Sequence, residues 1–218
     1  MTTPVRLKVC CISSVDEARV AVGAGAHALG LVSAMPSGPG PIGDDLIAEI
    51  ARTVPPGVDT FLLTCRSDGA GIVDQLRRTG CRTVQLVDTV EPGTYGAIQR
   101  ELPNVKIVQV IHVQDRGALD EAREAEEHVD AILLDSGRPQ AAVKELGGTG
   151  RVHDWSVSAA LVQRVRVPVF LAGGLREENV REAVRTVRPF GLDLCSGVRT
   201  NGVLDSGKLQ RFVEAART

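Results

Sequence analysis

The stretch VPVFLAGGLREENVREAVRTV, residues 167–187, decides the fold. It opens with a short apolar run, Val167 to Ala172, breaks at Gly173-Gly174, and continues as an amphipathic stretch, Glu177 to Val187. That succession reads as a buried parallel strand, a loop and a covering helix. Moving outward in both directions, the same unit recurs along the chain. Strands are expected at Val5–Ile12, His27–Val32, Val58–Thr64, Thr83–Val87, Val105–Val113, Ala131–Asp135, Val167–Ala172 and Leu192–Ser196. Helices are expected at Val15–Ala24, Asp44–Thr53, Ala70–Thr79, Pro92–Glu101, Arg116–His128, Trp155–Val165, Glu177–Val187 and Lys208–Ala216. Eight unbroken βα units favour an α/β fold of the closed (β/α)8, or TIM, barrel type over an open doubly wound sheet, which more often has about five or six strands. A length of 218 residues suits one such barrel, expected as a single domain over residues 1–218.

Composition narrows the classes of function. Apolar residues are 43% of the chain and charged residues 24%, with a formal net charge of −2, so no basic footprint for nucleic acid is present. Aromatics are only 3%, too few to build a stacking platform for single-stranded bases. The opening MTTPVRLKVCCISS lacks the apolar core of a signal peptide, and no apolar run approaches the roughly 20 residues of a spanning helix. A cytoplasmic protein with no membrane partner is the expectation. Five cysteines, at 10, 11, 65, 81 and 195, show no CxxC spacing and an odd count, which suits reduced thiols.

In a barrel, the strand ends and the loops that follow share one face, where chemistry sits. Strand 1 is expected to end in Cys10, Cys11 and Ile12, strand 6 in Asp135, strand 7 in Gly173 and Gly174, and strand 8 in Ser196 and Gly197. Glycine-rich turns after the last strands supply backbone N–H groups to an anion, so these residues, together with Gly148 of the Gly147-Gly148-Thr149-Gly150 segment, are candidates for a phosphate site. Taken singly, each patch also reads as a plain turn. Asp135 closes the apolar run AILLD and is a candidate acid, or else a cap or salt-bridge partner. Cys10 shares side-chain parity with Lys8 and Ile12, which leaves Cys11 pointing the other way. Cys10 reads either as a reactive thiol favoured by the Lys8 cation or as an inert core residue. The Pro/Gly-dense segment MPSGPGPIG, Met35–Gly43, follows strand 2 where a functional loop or a surface turn belongs.

Taken in order, these segments resemble the phosphoribosylanthranilate isomerase family of tryptophan biosynthesis, over nearly the whole chain. Lys8-Val9-Cys10-Cys11-Ile12-Ser13 is similar to the family's Lys-Ile-Cys-Gly-Ile-Thr, and is followed by Asp16-Glu17-Ala18 and Gly25-Ala26-His27-Ala28-Leu29-Gly30. Gln85-Leu86, Leu133-Leu134-Asp135-Ser136, Gly147-Gly148-Thr149-Gly150, Asp154-Trp155, Leu171-Ala172-Gly173-Gly174-Leu175, Asn179-Val180 and Asp193 with Cys195-Ser196-Gly197-Val198 complete the resemblance. It implies an Amadori rearrangement of a phosphosugar substrate without cofactor or metal, with Cys10 in the place of the general base and Asp135 in that of the general acid. The chain departs from the family in four places. Gly40 or a neighbour stands where a loop-2 arginine usually holds the anthranilate carboxylate, Val87-Asp88 replaces His-Gly, Arg199 stands where glutamate is common, and Cys11 replaces a glycine. Arg66, Arg138 and Arg199 are candidates to supply the missing cation, whereas Asp88 adds a negative charge near the aglycone. The expected function is therefore this isomerisation. The alternatives are a paralogue acting on another N-linked phosphoribosyl compound or phosphosugar, and a non-catalytic phosphosugar-binding barrel. No sequence feature assigns an oligomeric state.

Overall fold

The computed structural model describes residues 5–138, 140–141, 144–146, 150 and 152–217. Eight parallel strands close a barrel in sequence order, β1 to β8. They are β1 (Arg6–Val9), β2 (Ala28–Val32), β3 (Asp59–Thr64), β4 (Thr83–Leu86), β5 (Lys106–His112), β6 (Ala131–Asp135), β7 (Val169–Leu171) and β8 (Gly191–Leu194). Closure is made by β1 and β8, in register from Arg6↔Gly191 to Val9↔Leu194. The covering helices are α1 (Val15–Gly23), α2 (Asp44–Thr53), α3 (Gly69–Thr79), α4 (Thr94–Glu101), α5 (Ala118–Ala125), α6 (Trp155–Val162), α7 (Glu177–Val187) and α8 (Ser206–Ala216). Among the described residues no helix is long and apolar enough to cross a membrane.

The strands are apolar on both faces because each face has its own core. Along β6, Ile132 and Leu134 pack outward beneath the helices, while Ala131 and Leu133 join Phe61, Val108, Val110 and Phe170 inside the barrel. The alternation follows from the two-residue period of a strand and carries Asp135 inward at the C-terminal end. Some loops enter their helices through capping side chains: Ser14 accepts the Glu17 N–H before α1, and Asp205 accepts the Lys208 N–H before α8.

Several expected boundaries move. β1 stops at Val9 rather than Ile12, and α5 is confined to Ala118–Ala125. Beyond β8 the chain forms a short 3-10 helix, Ser196–Val198, and a two-stranded hairpin of β9 (Arg199–Thr200) and β10 (Val203–Leu204). Strands of two residues are too short to show a period, so sequence alone gives no sign of this hairpin.

Candidate functional site

A cleft opens at the C-terminal end of the barrel. Cys10 and Asp135 both line it, as do Gly173, Gly174 and Ser196, so residues from β1, β6, β7 and β8 converge on one mouth. Asp135 is 8% exposed, and its Oδ1 accepts the Ser136 N–H at 2.7 Å, which fixes the carboxyl group. Cys10 lies against β2. A Cβ at Gly30 would stand 2.7 Å from its sulfur and 3.1 Å from Lys8 Nζ, so only glycine leaves room for both side chains.

Beneath Cys10, Lys8 is fully buried, and its Nζ donates to Asp193 Oδ1 at 2.8 Å. Burial alone would lower the lysine pKa, but the charge and hydrogen bond of Asp193 outweigh it and hold the ammonium well above the ordinary lysine range. Burial pushes the Asp193 carboxyl up; Lys8 opposes that push and Asp135 adds to it.

The strand parity expected for Cys11 fails. Cys11 has φ 61, in the left-handed region, so the two-residue alternation breaks there: Ile12 packs in the outer core, and Cys11 lines the mouth together with Cys10. Its sulfur lies 2.9 Å from that of Cys195 and 3.5 Å from the Pro39 carbonyl oxygen. Hydrogen bonding to Cys10 and Cys195, together with burial, pushes the Cys11 thiol up. The hydrogen bond with Cys11 and the charges of Arg199 and Lys8 hold the Cys195 thiol down, against its burial.

The candidate cations do not line the mouth. Arg199 is committed elsewhere: Nη1 lies 2.9 Å from Glu17 Oε1 and Nη2 lies 3.1 Å from Glu17 Oε2. Nη2 also donates to the Cys11 carbonyl at 2.5 Å and the Cys10 carbonyl at 3.2 Å. Arg199 therefore anchors the end of β1 from behind and does not line the cleft. Glu17, which sequence reading left without a role, completes the anchor by accepting from Ser13 N and Leu204 N. Burial would raise its pKa, but Arg199 and these N–H groups hold it below the usual carboxylate range. Arg66 and Arg138 are exposed and do not border the cleft. Gly40 has φ 80 and packs on Cys11, where a Cβ would stand 2.7 Å from the Cys11 Cβ; no larger side chain fits at that position. Asp88 is not a bare charge, because Lys144 pairs with it.

The glycines after the last strands separate in role. Gly173 and Gly174 have φ 83 and 62. Their turn is pinned by Asn179, which donates to the Gly174 carbonyl at 3.0 Å and accepts the Arg176 N–H at 2.8 Å. Gly197 is not among the residues lining the cleft, and it packs so closely on the Leu175 carbonyl that no Cβ fits there. Gly148 lies outside the described residues, while Gly150 of the same segment lines the mouth. Gln85, which also lines the cleft, is 3% exposed, and its Oε1 has no hydrogen-bond partner among the described residues. Among the described residues no three His, Cys, Asp or Glu side chains are grouped to hold a metal ion.

The family model for N-(5'-phosphoribosyl)anthranilate (PRA) isomerase matches residues 7–215. The chain belongs to the PRA isomerase family. A relative from Methanosarcina mazei named N-(5'-phosphoribosyl)anthranilate isomerase 2 is 37% identical over 214 residues, covering 97% of this chain and 94% of the relative. The structure of PRA isomerase from Thermotoga maritima superposes with a TM-score of 0.82 at 29% identity, covering 97% of this chain and 98% of that one. A PRA isomerase in complex with reduced 1-(o-carboxyphenylamino)-1-deoxyribulose 5-phosphate superposes with a TM-score of 0.79 at 27% identity, over 97% and 98% of the two chains. Several of the segments that carry the family resemblance fall on this mouth or directly behind it. Cys10, Asp135, Gly173, Gly174 and Ser196 line the cleft, and Gly30, Asn179 and Glu17 pack behind it to hold these residues in place.

Proposed function

We propose that this chain isomerises N-(5'-phosphoribosyl)anthranilate to 1-(2-carboxyphenylamino)-1-deoxyribulose 5-phosphate, with Cys10 as general base and Asp135 as general acid. The observation that carries the reading is the convergence of Cys10 and Asp135 on one mouth beside the Gly173-Gly174 turn. Asp135 gives its proton to the ribose ring oxygen, the C1–O bond breaks, and the ring opens to the protonated imine. Cys10, as thiolate, removes the C2 proton to give the neutral enolamine, which takes a proton at C1 and loses its C2 hydroxyl proton to become the ketone. One group donates and the other accepts, so the reaction needs both in opposite protonation states at the start. Lys8 sits beneath Cys10 and supports an anion there without leaving its pair with Asp193.

The phosphate is read as bound by the turn at Gly173-Gly174 and the start of the 3-10 helix at Ser196. Successive backbone N–H groups of a turn can form an anion-binding concavity, and the loops after strands 7 and 8 are the usual phosphate site of such barrels.

Direct assay of the reduced protein on phosphoribosylanthranilate, with the product identified by chromatography against an authentic standard, tests the reading. Cys10→Ala and Asp135→Asn should each lower kcat about 10²-fold or more. Turnover by either variant at the unmodified rate would reassign the acid or the base.

A further inference from the structure

Cys11 and Cys195 are thiols at the mouth that the isomerisation leaves without a task. They come from opposite ends of the chain and meet because β1 and β8 close the barrel, with Val9 paired to Leu194 just before them. Their sulfurs are 2.9 Å apart, and both line the cleft that holds Cys10 and Asp135. The contact is built into the backbone. Cys11 takes φ 61, which turns its side chain toward β8, and Arg199 holds that turn by donating to the Cys10 and Cys11 carbonyls. Sequence reading has the family's glycine at position 11, a residue that takes this conformation freely. A cysteine there accepts an unfavourable backbone conformation and gains a sulfur contact. Cys195 is partly exposed at the cleft, so a small reagent reaches it first.

We propose that Cys11 and Cys195 are a redox modification site, closing to a reversible disulfide by exchange with a small disulfide of the glutathione class, and that the closed form blocks the mouth. The second half of the proposal rests on reading the mouth as the isomerase site. The Cys195 thiolate attacks one sulfur of the small disulfide, its S–S bond breaks, and one small thiolate leaves. Cys11 gives its proton to that thiolate and attacks Cys195 Sγ in the mixed disulfide, and the second small group leaves as a thiolate that takes up the proton Cys195 released on ionising. Two protein thiols are oxidised and one small disulfide is reduced to two thiols. Cys195 suits the attacking role because Cys11 and nearby cations hold its thiol down, while the Cys11 thiol is pushed up. Closure draws Cys11 from contact to covalent distance, removes its thiol from the Pro39 carbonyl of loop 2, and shifts both neighbours of the pair, Cys10 and Ser196.

The test equilibrates the fully reduced chain in glutathione buffers of rising oxidised fraction. Free thiols are then trapped by alkylation and the peptides mapped by mass spectrometry, with activity and the thermal shift given by inorganic phosphate measured on the same samples. The expected result is a Cys11–Cys195 linked peptide whose appearance tracks a loss of activity of about 10²-fold or more, loss of the phosphate shift, and recovery of both with dithiothreitol. In Cys195→Ser, and separately in Cys11→Gly, the link should vanish and the oxidised-to-reduced activity ratio should return to near one; Cys81→Ser should respond like the unmodified chain. Absence of the linked peptide at every ratio, a link made through Cys10 instead, or a linked protein that retains both activity and phosphate shift would overturn the proposal. A reduced protein inactive on phosphoribosylanthranilate would defeat the assigned reaction alone, since the peptide map and phosphate shift still decide the thiol site.

Discussion

Lys8→Met removes the ammonium beneath Cys10 and leaves a side chain of similar length and shape, so the change isolates the charge. What remains is Asp193, whose side chain is 8% exposed and whose counter-charge stood 2.8 Å away. Deleting one partner of a buried pair costs about 3–5 kcal/mol, because the other charge stays buried and uncompensated. The ammonium also lies 5.2 Å from the Phe61 ring centroid, a contact that the variant loses as well. For a slope of about 2–3 kcal/mol per molar urea, the unfolding midpoint should fall by about 1–2.5 M, read by circular dichroism. The deficit should depend on pH. In the variant, burial and Asp135 raise the Asp193 carboxyl further above its unfolded value, with Lys8 no longer opposing them. Proton uptake then favours the folded state, so the deficit is smallest below the unfolded carboxylate range and grows as pH rises through the folded value. Removing both charges in Lys8→Met/Asp193→Leu should recover most of the loss, since apolar replacement of a whole buried pair is often close to neutral. A single-variant cost under about 1 kcal/mol, or a double variant no more stable than the single, would refute the view that this pair is tightly coupled beneath the site.

Three further outcomes follow from the same geometry. Gln85→Met should leave stability unchanged or raise it by about 1 kcal/mol, because a buried carbonyl without a partner is removed, while weakening a bound product analogue by roughly tenfold in calorimetry; equal affinity in the variant would mean that Gln85 does not face the ligand. Gly40→Arg should fail to improve KM and should lower the thermal midpoint, because φ 80 and the Cys11 Cβ at 2.7 Å both oppose a side chain there; an improved KM with intact stability would show that loop 2 rearranges to present the arginine. Inorganic phosphate should raise the thermal midpoint by mass action, and Gly174→Val, which burdens a φ of 62 with a branched side chain, should abolish that shift in a protein that still unfolds cooperatively; a shift of unchanged size would move the anion elsewhere.

The alternation of apolar runs and amphipathic stretches was enough, by itself, to place eight βα units and so favour a barrel, because a strand buried on both faces and the helix covering it each write their period into neighbouring residues; closure itself is seen in the β1–β8 pairing. The same local logic marked Asp135, Gly173, Gly174 and Ser196, since a strand's end and the loop after it are adjacent in sequence as well as in space. The inward direction that Cys10 shares with Lys8 followed from parity counted along β1 to the residue after its end, while its role came from the family resemblance. Tertiary structure decided what lay beyond those periods. Cys11 turns into the mouth because φ 61 breaks the alternation one residue past the expected parity. Arg199 is withdrawn from the candidate cations because its partner, Glu17, is 182 residues away in sequence. Gly40 is closed to a side chain by Cys11, which is brought to it by the fold of loop 2. Pairing between distant side chains and single backbone angles leave no periodic trace along a chain, and only closure of the barrel brings Cys11 and Cys195 into contact.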